Sequence, residues 1–120
     1  MSDVVALADD AYEAVRAINH ATITTPHPAP VVYRVLGSLK LLGPGLDQAL
    51  SQLGAGLGRS LELHEVYEDD GADPVARVAE AVDLLTAARE HAAALGRLLE
   101  QVQGTIARQG YRDETDDAEG

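Results

Sequence analysis

A chain of 120 residues makes one domain, long enough to bury a core without covalent staples. The absence of cysteine rules out disulfides, thiolate metal sites and thiol nucleophiles, and a formal net charge of −11 argues against a nucleic-acid backbone or an anionic membrane as partner. The apolar 46% rests on Ala, Val and Leu, with no Trp and no Phe, which suits closely spaced helices better than a sheet built on aromatic and β-branched residues.

The first helix is expected over Ser2–Thr22, where Val4, Ala8, Ala11, Val15, Ile18 and Thr22 form one stripe at steps of three and four. Thr22–Pro30 follows, with Pro26, Pro28 and Pro30 at alternate positions. Each removes an amide donor and pushes its predecessor to extended geometry, so this is a stiff connector. A short second helix over Val31–Leu42 turns Val32, Val35, Leu36 and Leu39 inward and stops at Gly43-Pro44-Gly45. The third, Leu46–Tyr67, carries Leu46, Leu50, Leu53, Leu57, Leu61 and His64 on one stripe. His64 is expected there as a half-buried packing residue with one hydrogen bond. The glycines of Gly54-Ala55-Gly56-Leu57-Gly58 lack the preceding strand of a phosphate loop, so they predict close approach of a neighbouring helix.

Glu68–Asp73 is an acidic turn whose carboxylates suit the N-terminus of the helix that follows. It lacks the alternating ligands and distal glutamate of a calcium loop. The fourth helix, Asp73–Gln109, opens with Asp73 as N-cap and Pro74 at the first helical position. Val75, Val78, Val82, Leu85, Ala88, Ala92, Leu95, Leu99, Val102 and Ile106 recur along it with helical period. Residues 111–120 read as a disordered acidic tail behind a helical domain of residues 1–110.

Four stripes predict an all-α, up-and-down four-helix bundle with a short second helix and a long C-terminal helix. At the helical rise, the last helix should overhang its companions by about 15–20 Å, or bend at Gly96 or Gly104. An overhang leaves Leu95, Leu98, Leu99, Val102 and Ile106 partly bare, and a bare stripe of that size needs a partner. These five residues are the expected interaction site, filled by a second copy in a homodimer or by a helical protein partner.

No catalytic constellation competes strongly with this reading. The position three before each of His20, His27, His64 and His91 is not glutamate, so the Glu-x-x-His pair of di-iron bundles is missing. The carboxylate pairs Glu62-x-x-Glu65 and Glu80-x-x-Asp83 lie on consecutive expected helices. They resemble the MazG-type all-α nucleoside triphosphate pyrophosphohydrolases, in which such pairs hold magnesium. Leu61 stands where that family has a further glutamate, and at 100° per residue both pairs turn away from the apolar stripes. Two outward pairs cannot converge on one ion, so Glu62, Glu65, Glu80 and Asp83 are expected as solvated surface.

Length, acidity and helicity are similar to those of the helical-hairpin substrates of type VII secretion, which would make this an exported helical protein. The Trp-x-Gly turn of that family is impossible without Trp, and Thr115 replaces the acidic residue of its C-terminal signal. One lysine, Lys40, against eight arginines fits a GC-rich genome or an adaptation to high salt. The segments Ala17-Ile18-Asn19-His20-Ala21-Thr22, Val32-Tyr33-Arg34-Val35-Leu36-Gly37, Gln48-Ala49-Leu50-Ser51-Gln52-Leu53 and Asp70-Gly71-Ala72-Asp73-Pro74 resemble small all-helical actinobacterial proteins of unknown function. Among them Asn19, Tyr33 and Arg34 are the polar residues near the first loop, where they are expected to tie the proline connector by hydrogen bonds. Met1-Ser2-Asp3 lacks the basic flank of a signal peptide. The sequence therefore reads as a non-catalytic, cytoplasmic protein–protein interaction module that needs no metal or cofactor and binds neither nucleic acid nor membrane.

Overall fold

The computed structural model describes residues 3–113, which form helices and turns with no strand among them. Helix α1 spans Val4–Thr22 and is capped by Asp3, whose carboxylate accepts from the Val5 amide at 3.0 Å. Helix α2 spans Ala29–Leu39. It starts earlier than expected because Pro28, extended at φ −73°, ψ 165°, serves as its N-cap residue, and the Pro28 carbonyl accepts from the amides of Val31 and Val32. Pro30 then falls in the first turn, where its missing donor costs nothing.

Helix α3 spans Leu42–Leu63, and it is not separated from α2 by a true break. Lys40 and Leu41 both keep right-handed helical backbone angles. The Lys40 amide donates to the Leu36 carbonyl at 2.9 Å, and the Gly45 amide to the Leu41 carbonyl at 3.1 Å. Gly43-Pro44-Gly45 therefore opens α3 rather than closing α2. Pro44 occupies the first turn, whose amides have no intrahelical acceptor anyway. The two segments join into one bent rod. Beyond Leu63, His64 is extended and exposed, outside the stripe on which it was expected.

The turn before helix α4 (Pro74–Thr105) is held by Asp70 and Asp73. Asp70 accepts from the Ala72 amide at 3.0 Å and pairs with Arg77 at 2.9 Å, while Asp73 caps α4 through the Val75 amide at 3.1 Å. Gly71 takes φ 79°, the left-handed conformation that glycine adopts without steric cost.

Helix α4 runs antiparallel to the bent rod. The residues it turns inward are Val78, Val82, Leu85, Arg89, Ala92, Gly96, Leu99, Gln103 and Ile106, all buried or half-buried. Their steps alternate four and three, the heptad seam of a coiled coil. Four contacts fix the register. A Cβ on Gly54 would meet Leu85 at 3.4 Å, and one on Gly43 would stand 2.7 Å from the Cα of Gly96. The Arg89 Nε donates to Asp47 at 2.7 Å, and the Gln103 Nε2 to the Tyr33 carbonyl at 3.0 Å.

This pairing overturns the expected overhang. The joined arm counts 35 residues from Ala29 to Leu63 and α4 counts 32, lengths of about 52 and 48 Å. The arms match, and α4 has no spare end. The element without a neighbour is α1, no Cα of which lies within 8 Å of a Cα in another helix. Among the described residues the up-and-down four-helix bundle is replaced by a two-armed hairpin with a helix that is not folded back on it. The radius of gyration of 20.9 Å compares with about 14 Å for a compact chain of this length.

Candidate interaction surface

The seam is narrow because small residues line it. Ala29, Gly43, Gly54, Ala92 and Gly96 are buried, and no large side chain is fully buried among the described residues. Where the arms come closest, at Gly43, Ala92 and Gly96, there is no room between them for leucine, and Leu42, Leu46 and Leu95 stand beside the seam. Leu42, Leu46 and Leu53 each precede a contact residue of α3 (Gly43, Asp47 and Gly54). Leu84, Ala88, Leu95 and Val102 each precede a contact residue of α4 (Leu85, Arg89, Gly96 and Gln103).

One residue back is a rotation of 100° away from the seam in a fixed sense. In antiparallel arms the two rotations carry side chains to the same side of the hairpin. That side is therefore mainly apolar along both arms, with Arg77 and His91 as polar members on α4, and it is bare. Leu46 is 46% exposed, Leu53 53%, Leu84 67% and Leu98 57%. The residues one after the contact positions fall on the opposite side. They include Gln48, Thr86, Glu90 and Arg97, all exposed, and on this side Lys40 approaches Glu100 at 3.9 Å. The hairpin is amphipathic as a unit, with one greasy and one polar side.

The total area measures what is left uncovered. The chain exposes 9641 Å², against roughly 6,200 Å² for a compact monomer of 12.6 kDa. Even with the nine residues outside 3–113 counted as fully extended, at about 1,400 Å², a surplus of about 2,000 Å² per chain remains. At the α2 end, the last turn of α1 and the apolar side of α2 flank an open groove of about 550 Å³ lined by Ile18, Thr22, Val31, Val35 and Leu39.

The structure divides the five residues expected to form the interaction site. Leu95, Leu98 and Val102 are exposed on the apolar side, whereas Leu99 and Ile106 belong to the seam and are half-buried. Leu46, Leu53 and Leu84 share the bare side, although the apolar period places Leu46 and Leu53 inward and leaves Leu84 out. The signal that finds Leu46 and Leu53 is their offset of one from the polar Asp47 and the small Gly54, and Leu84 stands at the same offset from Leu85.

Of the expected loop-tying residues, Tyr33 contributes its main-chain carbonyl, to Gln103 and not to the connector. Asn19 contributes its carbonyl to the Thr22 hydroxyl at 3.3 Å, and Arg34 lines the groove. No hydrogen bond among the described residues joins these three side chains to the connector. Glu62, Glu65, Glu80 and Asp83 are all exposed, and Glu65 lies past the end of α3, off the helix that carries Glu62. No group of three or more histidine or carboxylate side chains gathers as a metal site among the described residues. No helix of the described residues is long and apolar enough to cross a membrane. Tyr111, Arg112 and Asp113 are exposed, and the rest of the expected acidic tail, residues 114–120, lies outside the described residues.

Compared with protein-family models, with curated proteins and with solved structures, the chain matches none.

Proposed function

We propose that the protein is a non-catalytic interaction module that associates with itself through the apolar side of its hairpin. One observation carries this reading. A stripe of leucine and valine from both arms, including Leu46, Leu53, Leu84, Leu95, Leu98 and Val102 and interrupted at His91, faces solvent with no element of the described residues over it. Burying apolar surface contributes about 25 cal/mol per Å², and scattered exposed leucines are ordinary where a contiguous patch of this extent is not.

The polar side supplies solubility to the assembled form. Light scattering on the purified full chain at micromolar concentration tests the reading. The expected mass is twice that of one chain. A single species at monomer mass, unchanged on concentration, overturns self-association.

A further inference from the structure

The hairpin surface is one half of an unsatisfied pair, and α1 is the other. Every residue of α1 except Ile18 is exposed. Yet Val4, Ala8, Ala11, Val15 and Ile18 sit on one side of it at steps of four and three, with Asp9, Glu13 and His20 opposite. Helices in proteins draw most of their stability from packing of an amphipathic face, and the apolar side of α1, a helix of 19 residues, is uncovered except at Ile18, so a sequence patterned in this way calls for a cover.

The connector decides whose hairpin that cover is. Thr25 and His27 each precede a proline and are held extended, and Pro28 is itself extended. This stretch sends α1 outward instead of reversing it onto its own arms, and only the last turn of α1 reaches the groove beside Val31 and Val35. A stiff linker that presents a complementary helix away from its own docking face is the arrangement from which chains exchange elements.

Resting on the self-association proposed above, we infer that α1 of each copy lies on the apolar hairpin side of a second copy, in reciprocal exchange about a two-fold axis. The areas agree. A surplus of about 2,000 Å² on each of two chains lies within the roughly 2,000–5,000 Å² total that obligate homodimers bury. Docking the stripe of α1 leaves Asp9 and Glu13 in water, so the exchange buries neither of these carboxylates.

Because the chain has no cysteine, single thiols report the geometry without background. Ala11→Cys on α1 is mixed with a size-tagged chain carrying Ala88→Cys or Val102→Cys on the hairpin. The mixture is unfolded and refolded together, then bridged with a short bismaleimide. The expected result is a cross-linked product of mixed mass, several-fold more abundant than the product of either variant alone. A refolded mixture of dimeric mass that gives no mixed product with either hairpin position overturns the exchange and leaves self-association standing. So does a double variant, Ala11→Cys with Ala88→Cys, that closes only within one chain. Monomeric mass of the unmodified chain overturns both.

Discussion

Gly43 and Gly96 meet backbone to backbone where the joined arm bends. A Cβ on Gly43 would stand 2.6 Å from the Ala92 carbonyl oxygen and 2.7 Å from the Gly96 Cα and amide nitrogen. None of these atoms can rotate aside, so the arms themselves would have to part. Gly43→Ala is expected to cost about 1–3 kcal/mol of stability by overpacking. Gly56 lies mid-helix with nothing within 4 Å of its Cβ position, so Gly56→Ala should stabilise by about 0.5–1 kcal/mol through helix propensity. Urea denaturation followed by circular dichroism, at one fixed chain concentration because association contributes to stability, compares the two. Equal and small effects would remove the close approach as the element that fixes the register.

The same contact explains what could be read from the chain and what could not. Helix positions and the cap at Asp73 follow from local signals, and Val78, Val82, Leu85, Ala92, Leu99 and Ile106 were legible as an inward stripe. The apolar period fails at Arg89, Gly96 and Gln103, because it prefers their neighbours Ala88, Leu95 and Val102. It fails in the same way on α3, taking Leu46 and Leu53 over Gly43, Asp47 and Gly54. At these levels the inward residue is chosen for size or for a polar contact and not for hydropathy. The join of α2 to α3 was hidden by Gly43-Pro44-Gly45, a sequence that stops a helix in most settings. Here it occupies a first turn, where proline is tolerated. Taken as a helix stop, this segment makes α4 too long for its companions and puts the bare surface at an overhang that does not exist.

Gln103 is buried, and its amide reaches the Tyr33 carbonyl at 3.0 Å. One polar residue at an inward heptad position can specify register at a cost in stability. Gln103→Met, similar in volume and unable to donate, should lose about 0.5–1.5 kcal/mol. Gln103→Glu places an acceptor against an acceptor and should lose more, about 2–3 kcal/mol at pH 7. Denaturation midpoints for the two variants in one buffer check the order. A Glu variant as stable as the Met variant would mean that the amide donation contributes nothing.

Arg89 and Asp47 also sit at inward positions, joined at 2.7 Å with side chains 38% and 35% exposed. Water reaches both groups, so the ion pair is screened and its coupling should be small, about 0.5–1 kcal/mol in a double-mutant cycle of Arg89→Ala and Asp47→Ala. Raising the salt concentration should shrink that coupling further. A coupling above roughly 2 kcal/mol would show that the pair is desolvated, as a covering partner would make it.

Leu98 and Leu99 are chain neighbours with different surroundings, and they separate folding from association. Leu99 belongs to the seam and is half-buried, so Leu99→Asp forces a carboxylate between the arms. It should cost about 3 kcal/mol or more of folding stability and lower the helical signal. Leu98 is 57% exposed on the apolar side. Leu98→Asp loses only helix propensity, up to about 0.7 kcal/mol, in the isolated chain, and it places a charge in the centre of the proposed contact. Its far-ultraviolet spectrum should stay near that of the parent while its mass in light scattering falls to that of one chain. If Leu98→Asp keeps the dimeric mass, the apolar side of the hairpin is not where two copies meet.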